Sequence, residues 1–241
     1  MQTLEHHHVR YHEAPDGLDF EAAQFEAVAN EGVPQVQLHV WQQSQCLVVP
    51  RSYWRRAGIG AAIAAADDLG WRVLFRASGG SCVFHGRHVL CITRLICEPC
   101  GTSGIDAHYR SFTESLADAA ENLGVVDVRT GTAPDAPCDG RFNLLAGDRK
   151  LAGTAMRRRS RAGMDTILAH ACLWLSGPLV PSLRAVEVFE SHLGAHRSYP
   201  ASACITLAEA TGRAGEDPAA LANDWARAMM AAADPTCSAN V

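Results

Sequence analysis

Segments with strand periodicity and segments with helix periodicity alternate irregularly along this 241-residue chain, without the strand-helix-strand rhythm of a doubly wound parallel sheet. That order points to an α+β fold, a mixed β-sheet flanked by helices. Residues 18–31 (LDFEAAQFEAVANE) carry apolar side chains at helical spacing, and Gly32-Val33-Pro34 stops the helix. Val36, Leu38 and Val40 alternate with polar residues as a half-buried strand does, and residues 45–50 (QCLVVP) read as a second strand. Residues 54–69 read as one amphipathic helix closed by Gly70, and residues 71–75 as a strand. The apolar runs at 82–84 and 89–96 are expected to be strands of one sheet. Residues 105–123 form a predicted helix with Ser103 as N-cap and Gly124 beyond its end. Residues 130–140 read as a loop, RFNLLAGDRKLAGTAMRRR as a hairpin turning at Gly147-Asp148, and residues 165–175 as another strand. Two late helices are expected near 203–212 and 218–233. Residues 1–241 are expected to form a single domain, with about 15 residues loose at the start and about 10 at the end.

Composition narrows the class. Hydrophobic residues make up 48% and charged residues 20%, which is globular and neither disordered nor fibrous. No run approaches ~18 consecutive apolar residues, so no membrane span is expected. The N-terminus lacks the apolar core of a signal peptide, which gives a cytoplasmic expectation. A net charge of -5 speaks against nucleic acid as a partner. Nine cysteines, an odd number at irregular spacing, do not make a disulfide framework. Cys97 and Cys100 have CxxC spacing, but no second pair or histidine pair completes a zinc set, so no metal site is expected.

Two stretches carry chemistry. In RASGGSCVFHG (76–86), the pair Gly79-Gly80 follows a strand-like run, where main-chain amides can approach an anionic group closely. Ser78 and Ser81 add hydroxyls, Arg76 a planar cationic fork and His85 an imidazole. In GDRKLAGTAMRRR, Lys150 precedes the small residues Ala152, Gly153, Thr154 and Ala155, which indicates close packing against the backbone. An ammonium held in such a slot would act strongly on an acyl carbonyl or a phosphate.

Together with TILAHACLWL, these segments resemble the lipoate-protein ligase A, octanoyltransferase and biotin ligase family. Its ligase A members carry RRxSGGGxVxHD, then GxKKIxGxAxR, then an HG or HxxxL strand. The resemblance implies a biotin/lipoate ligase-like catalytic domain. Arg76, Ser78, Gly79, Gly80 and Ser81 would surround the acyl or acyl-adenylate group. Lys150 and His85 would be catalytic, and Asn143, Gly153, Thr154, Ala155 and His170 would complete the lipoate and nucleotide site. The chain departs from the ligase pattern at Ser81, where a third glycine is usual, and at His85-Gly86, which is closer to the octanoyltransferases. The accessory domain that many ligases carry is not expected here.

The resemblance implies an ATP- and Mg²⁺-dependent lipoate-protein ligase that acts through lipoyl-AMP on a lysine of a lipoyl domain. The alternative is an octanoyltransferase using Cys138 or Cys172 as the nucleophile. Cys138 lies near the place where one transferase subgroup keeps its thiol, at a spacing to the lysine that differs by a few residues. Cys172 shares a strand face with His170. Cys82 lies inside the glycine loop, and Pro99-Cys100-Gly101 falls too early for the other subgroup. A third alternative is a non-catalytic binder of lipoyl domains, against which the joint presence of Lys150, His85 and Gly79-Gly80 speaks. Arg157, Arg158 and Arg159 are candidates for docking an acidic acceptor or a triphosphate.

Overall fold

The protein is described by a computed structural model covering residues 9–233. Its first strands are β1 (Arg10–His12), β2 (Gln35–Gln43), β3 (Cys46–Pro50), β4 (Arg72–Arg76) and β5 (Val83–His85). They are followed by β6 (Val89–Pro99), β7 (Val128–Gly131), β8 (Asn143–Ala146), β9 (Arg149–Arg161) and β10 (Met164–Trp174). The helices are α1 (Asp16–Glu31), α2 (Ile59–Asp68), α3 (Ile105–Asn122), α4 (Val180–Ser191), α5 (Leu207–Ala210) and α6 (Pro218–Ala233). Seven strands form one sheet in the order β1-β2-β6-β10-β9-β8-β7, and three form a second in the order β4-β3-β5. Both sheets are mixed: β1 runs parallel to β2 and β3 parallel to β4, while the other pairs are antiparallel. The fold is α+β, mixed sheets flanked by helices, as the sequence implies.

Alternation along the long strands sorts the side chains onto two faces. Leu90 and Ile92 of β6 and Ala169, Ala171 and Leu173 of β10 pack with Phe112 and Leu116 of α3 and Trp225 of α6. On the opposite face Leu95, Cys97 and Leu168 meet Phe25 and Val28 of α1. The small sheet buries Leu47 and Val49 against α2 and α4. Register then places Cys172 opposite both Cys91 and Gly153, and His170 opposite both Thr93 and Ala155. These pairs share the α1 side of the large sheet, where it faces the small one.

Several expectations are corrected. The runs at 82–84 and 89–96 belong to different sheets, because the chain turns at Gly86 and each run finds its own partner. Residues 54–69 are not one helix. Arg51–Arg55 is a 3-10 turn, and Gly58 at φ +83 interrupts the chain where a Cβ would lie 2.2 Å from the His192 carbonyl oxygen. Gly104, not Ser103, occupies the N-cap of α3. Helix α4 was not predicted, since its buried stripe, Leu183, Val186 and Phe189, spans barely two turns. The helix expected at 203–212 shrinks to α5, opened by a capping box between Thr206 and Glu209. β7 removes Thr130 and Gly131 from the predicted loop, and β1 lies in the stretch expected to be loose. The predicted loose residues 1–8 and 234–241 lie outside the described residues.

Candidate active site

Lys150 is fully buried on β9, and its Nζ donates hydrogen bonds to the carbonyls of Pro137 (2.6 Å) and Cys138 (2.9 Å). Burial pushes its pKa below the ordinary lysine value, opposed by Cys138, Cys204 and Asp139. Gly153 keeps the slot open, because a Cβ there would approach Lys150 Nζ to 3.1 Å. The small residues after Lys150 thus serve the lysine itself as well as the cavity wall.

The segment before β8 is built around this lysine. Cys138 sits in the left-handed region at φ +51, costly for a residue with a Cβ, and its Sγ accepts a hydrogen bond from the Ser81 amide at 3.2 Å. Asn143 donates to Asp139 Oδ1 (3.0 Å) and the Gly140 carbonyl (2.8 Å), and Asp139 Oδ1 accepts the Ala133 amide. Asn143 therefore holds the Cys138 loop in place. The diglycine turn approaches the same sulfur: a Cβ on Gly80, at φ +100, would lie 2.9 Å from Cys138 Sγ and 2.9 Å from Arg76 Nη2.

Arg76 has a different task from the one its charge suggests. It is buried, with Nη1 donating to the Val48 carbonyl (2.7 Å) and Nη2 to those of Gly79 and Ser81 (2.8 Å each). The fork is spent on the main chain, so Arg76 braces the glycine turn. Ser78 Oγ lies 2.8 Å from His170 Nε2, and His170 Nδ1 lies 3.1 Å from both carboxylate oxygens of Glu21. Thr93 donates to Glu21 at 2.6 Å and Trp41 Nε1 to Thr93 at 3.1 Å, which extends the chain of bonds. Burial raises the Glu21 pKa, but the charge and hydrogen bond of His170, with help from Thr93, hold it below the ordinary value. Burial likewise lowers His170, and Glu21 outweighs this, so the net direction is upward.

Deeper in, His85 Nε2 lies 3.1 Å from Cys172 Sγ, while its Nδ1 faces Gln43 Nε2 at 2.8 Å and Cys91 Sγ at 3.4 Å. The Cys91 thiol donates to Cys172, and this bond, aided by His85 and His170 and opposed by burial, holds Cys172 well below the ordinary thiol range.

A largely apolar cavity runs between the glycine-turn side, β9 and β10. Cys138 and Arg76 lie on its wall with Gly153, Thr154 and Ala155, and His85, Cys91, His170 and Cys172 line the remainder. A second, more polar cavity of about 780 Å³ shares Leu18, Glu21, Arg76 and His170 with it and adds Ser78, Arg51 and Arg157. The predicted site residues of the glycine turn, the hairpin and β10 therefore meet.

The arginine run does not act as a unit. Strand alternation puts Arg158 on the α3 side, where it pairs with buried Asp165. Arg157 and Arg159 stack over Phe25 on the other face, and Arg159 also binds Glu26. Two of the three heads expected to dock an acceptor or a triphosphate are occupied by carboxylates of this chain, which corrects their reading as a docking patch.

Glu21, Thr93, Gln43 and Cys91 were not predicted as site residues. Glu21 had a readable signal: it stands on the buried stripe of α1 between Leu18 and Phe25, where a carboxylate requires a partner.

A profile described as "Lipoyl protein ligase A/B catalytic domain" matches residues 13–206. An uncharacterized protein of Cupriavidus necator is 37% identical over 200 residues, covering 76% of this chain and 78% of that protein. Two octanoyl-[GcvH]:protein N-octanoyltransferases, from Anoxybacillus flavithermus and Kyrpidia tusciae, are 28% and 31% identical over 68% and 61% of this chain. The chain spans only 58% and 52% of their lengths. Among solved structures, a lipoate-protein ligase A bound with ATP superposes with TM-score 0.62 at 16% identity, covering 92% of this chain and 86% of the other. A bi-partite lipoate protein ligase from Thermoplasma acidophilum, described with its E2 lipoyl domain, gives 0.59 at 15% identity, covering 95% and 84%. These structural likenesses concern the fold. On this profile, which spans most of its length, the chain belongs to the lipoyl protein ligase A/B catalytic domain family.

Proposed function

We propose that this protein is an acyltransferase that passes an octanoyl-type group from a carrier thioester, through Cys138, to a lysine of a lipoyl domain. The placement of Cys138 carries this reading. Cys138 lies on the wall of the apolar cavity, and its sulfur receives a main-chain N–H from Ser81 and touches the diglycine turn, while its carbonyl is held by Lys150. In the first half-reaction Cys138 Sγ attacks the thioester carbonyl, and the carrier thiolate leaves and takes up the proton given up by Cys138. In the second, the acceptor lysine amine attacks the acyl-Cys138 carbonyl, an amide forms, and the proton lost from nitrogen goes to the departing thiolate. The Ser81 amide and the Lys150 ammonium, held by Cys138 Sγ and by the Pro137 and Cys138 carbonyls, would have to leave those partners to reach the carbonyl oxygen in either step. The two octanoyltransferase relatives, named for an octanoyl-[GcvH] donor, support octanoyl transfer to a protein nitrogen and leave the thioester donor as part of the proposal.

The ATP-dependent lipoate ligase is the second reading, favoured by the polar cavity beside the acyl cavity. ATP would lie there, with Arg51 and Arg157 toward its phosphates. The fit is incomplete. Asp19, Glu21 and Glu26 line the same space as the three arginines, so its charge is nearly balanced, and Arg76 is already engaged. Mg²⁺ would have to offset the triphosphate charge. A cytoplasmic location accompanies either reading.

The two separate in one assay. Incubation with an octanoyl-carrier thioester and an apo-lipoyl domain is expected to add one octanoyl group to the acceptor, and to Cys138 when no acceptor is present, as read by mass spectrometry. Modification that requires ATP and lipoate, with pyrophosphate release, would transfer the assignment to the ligase.

A further inference from the structure

Among the described residues, His85, Cys91 and Cys172 form a group whose donor atoms all lie within 4.8 Å of one another. The acyl-transfer chemistry at Cys138 leaves this cluster without a role. We propose that it binds one zinc ion, with the open coordination position facing the acyl cavity.

The donor set is the first support. Two thiolates and one imidazole form a Cys₂His set, which zinc uses when three protein ligands leave a fourth position free. Charge is the second. Zn²⁺ on two thiolates is neutral overall, so an ion there adds little charge to a largely apolar cavity. The rigidity of the platform is the third: Cys91 and Cys172 face each other across β6 and β10 in the centre of the large sheet, and Cys46, Gln43 and Trp41 back the site.

Gln43 bears on the His85 tautomer. It is fully buried, yet its Oε1 has no hydrogen-bond partner, while its Nε2 faces His85 Nδ1 at 2.8 Å. Turning the amide by 180° brings Oε1 to Nδ1, where it accepts the ring N–H. The His85 Nε2 lone pair then faces Cys172 Sγ at 3.1 Å, as in histidines that bind metal through one nitrogen and donate from the other. Zinc takes both sulfurs as thiolates, any proton they still hold going to solvent, and no redox change occurs.

The test uses the whole, fully reduced chain and zinc chloride in competition with a chromophoric chelator. One equivalent is expected to bind, and Cys91→Ser and Cys172→Ser should each weaken it more than about tenfold, whereas Cys138→Ser should not. Gln43→Leu should weaken it by about ten- to a hundredfold. Cobalt substitution should give a thiolate-to-metal charge-transfer band that disappears in Cys172→Ser while the melting temperature confirms a folded protein. Equal zinc affinity in the wild type and the Cys91→Ser/Cys172→Ser double variant would overturn the proposal, as would a missing charge-transfer band. Because the readout is binding, it is independent of the acyl-transfer reading. Only the corollary that zinc competes with the acyl group depends on both.

Discussion

Lys150 Nζ donates to the carbonyl of Cys138 at 2.9 Å, while the sulfur of the same cysteine accepts the Ser81 amide at 3.2 Å. One residue thus joins the buried lysine of β9 to the glycine turn after β4.

Cys138→Ser should reduce acyl transfer by at least about a thousandfold, because the hydroxyl is a far weaker nucleophile than a thiolate at neutral pH. Its melting temperature should stay within a few degrees of wild type. Retained transfer, with an acyl group found on Cys172, would move the nucleophile.

Lys150→Ala tests a different balance. The sequence suggests that β9 needs only a small or apolar residue there, but truncation would leave the Pro137 and Cys138 carbonyls without their donor in a buried cavity. A loss of about 2–4 kcal/mol is expected. Lys150→Met keeps most of the volume, so it should recover part of the stability but none of the activity. Denaturant unfolding and transfer assays on both variants check this.

Gly80→Ala should impair both folding and transfer. The alanine Cβ would meet Arg76 Nη2 and Cys138 Sγ at 2.9 Å, at a φ of +100 that side chains avoid. A cost of about 1–3 kcal/mol is expected. Gly79→Ala has open space and should be milder in the same unfolding assay.

The Glu21–His170 pair gives a pH signature. His170, raised in the folded state, contributes stability that is fully present below its ordinary value of 6.5 and is lost as pH rises through its higher folded value. Glu21, lowered in the folded state, contributes above its ordinary value of 4.5 and loses that contribution as pH falls through its lower folded value. The pair therefore stabilises most between 4.5 and 6.5. His170→Gln should flatten the alkaline limb of stability against pH, measured by chemical unfolding from 4.5 to well above 6.5.

Arg158→Glu is expected to lower the melting temperature by several degrees without changing the KM for the acceptor. Its head pairs with Asp165, and the substitution would set two carboxylates side by side. A raised KM at unchanged stability would restore Arg158 to a docking role.

Local patterning in the sequence determined most of the elements: α1 from its apolar spacing, the β8–β9 hairpin from Gly147-Asp148, and β10 from its apolar run. The ordered motifs at 76–86 and 147–159 also pointed to the family and to Lys150. Tertiary structure decided the partners. Periodicity tells which face of a strand is apolar but not which strand lies beside it, so the separation of β5 from β6 was not readable. Strand register over some eighty residues aligned Cys91 with Cys172 and Thr93 with His170, and neither pair has a local signature. Alternation on a paired strand also split Arg157 and Arg159 from Arg158, which adjacency in the sequence had suggested as one patch. The roles of Arg76 and Asn143 depended on carbonyl groups that only the folded chain brings within reach. A side chain's type limits the bonds it can form, whereas long-range packing selects which of them it makes.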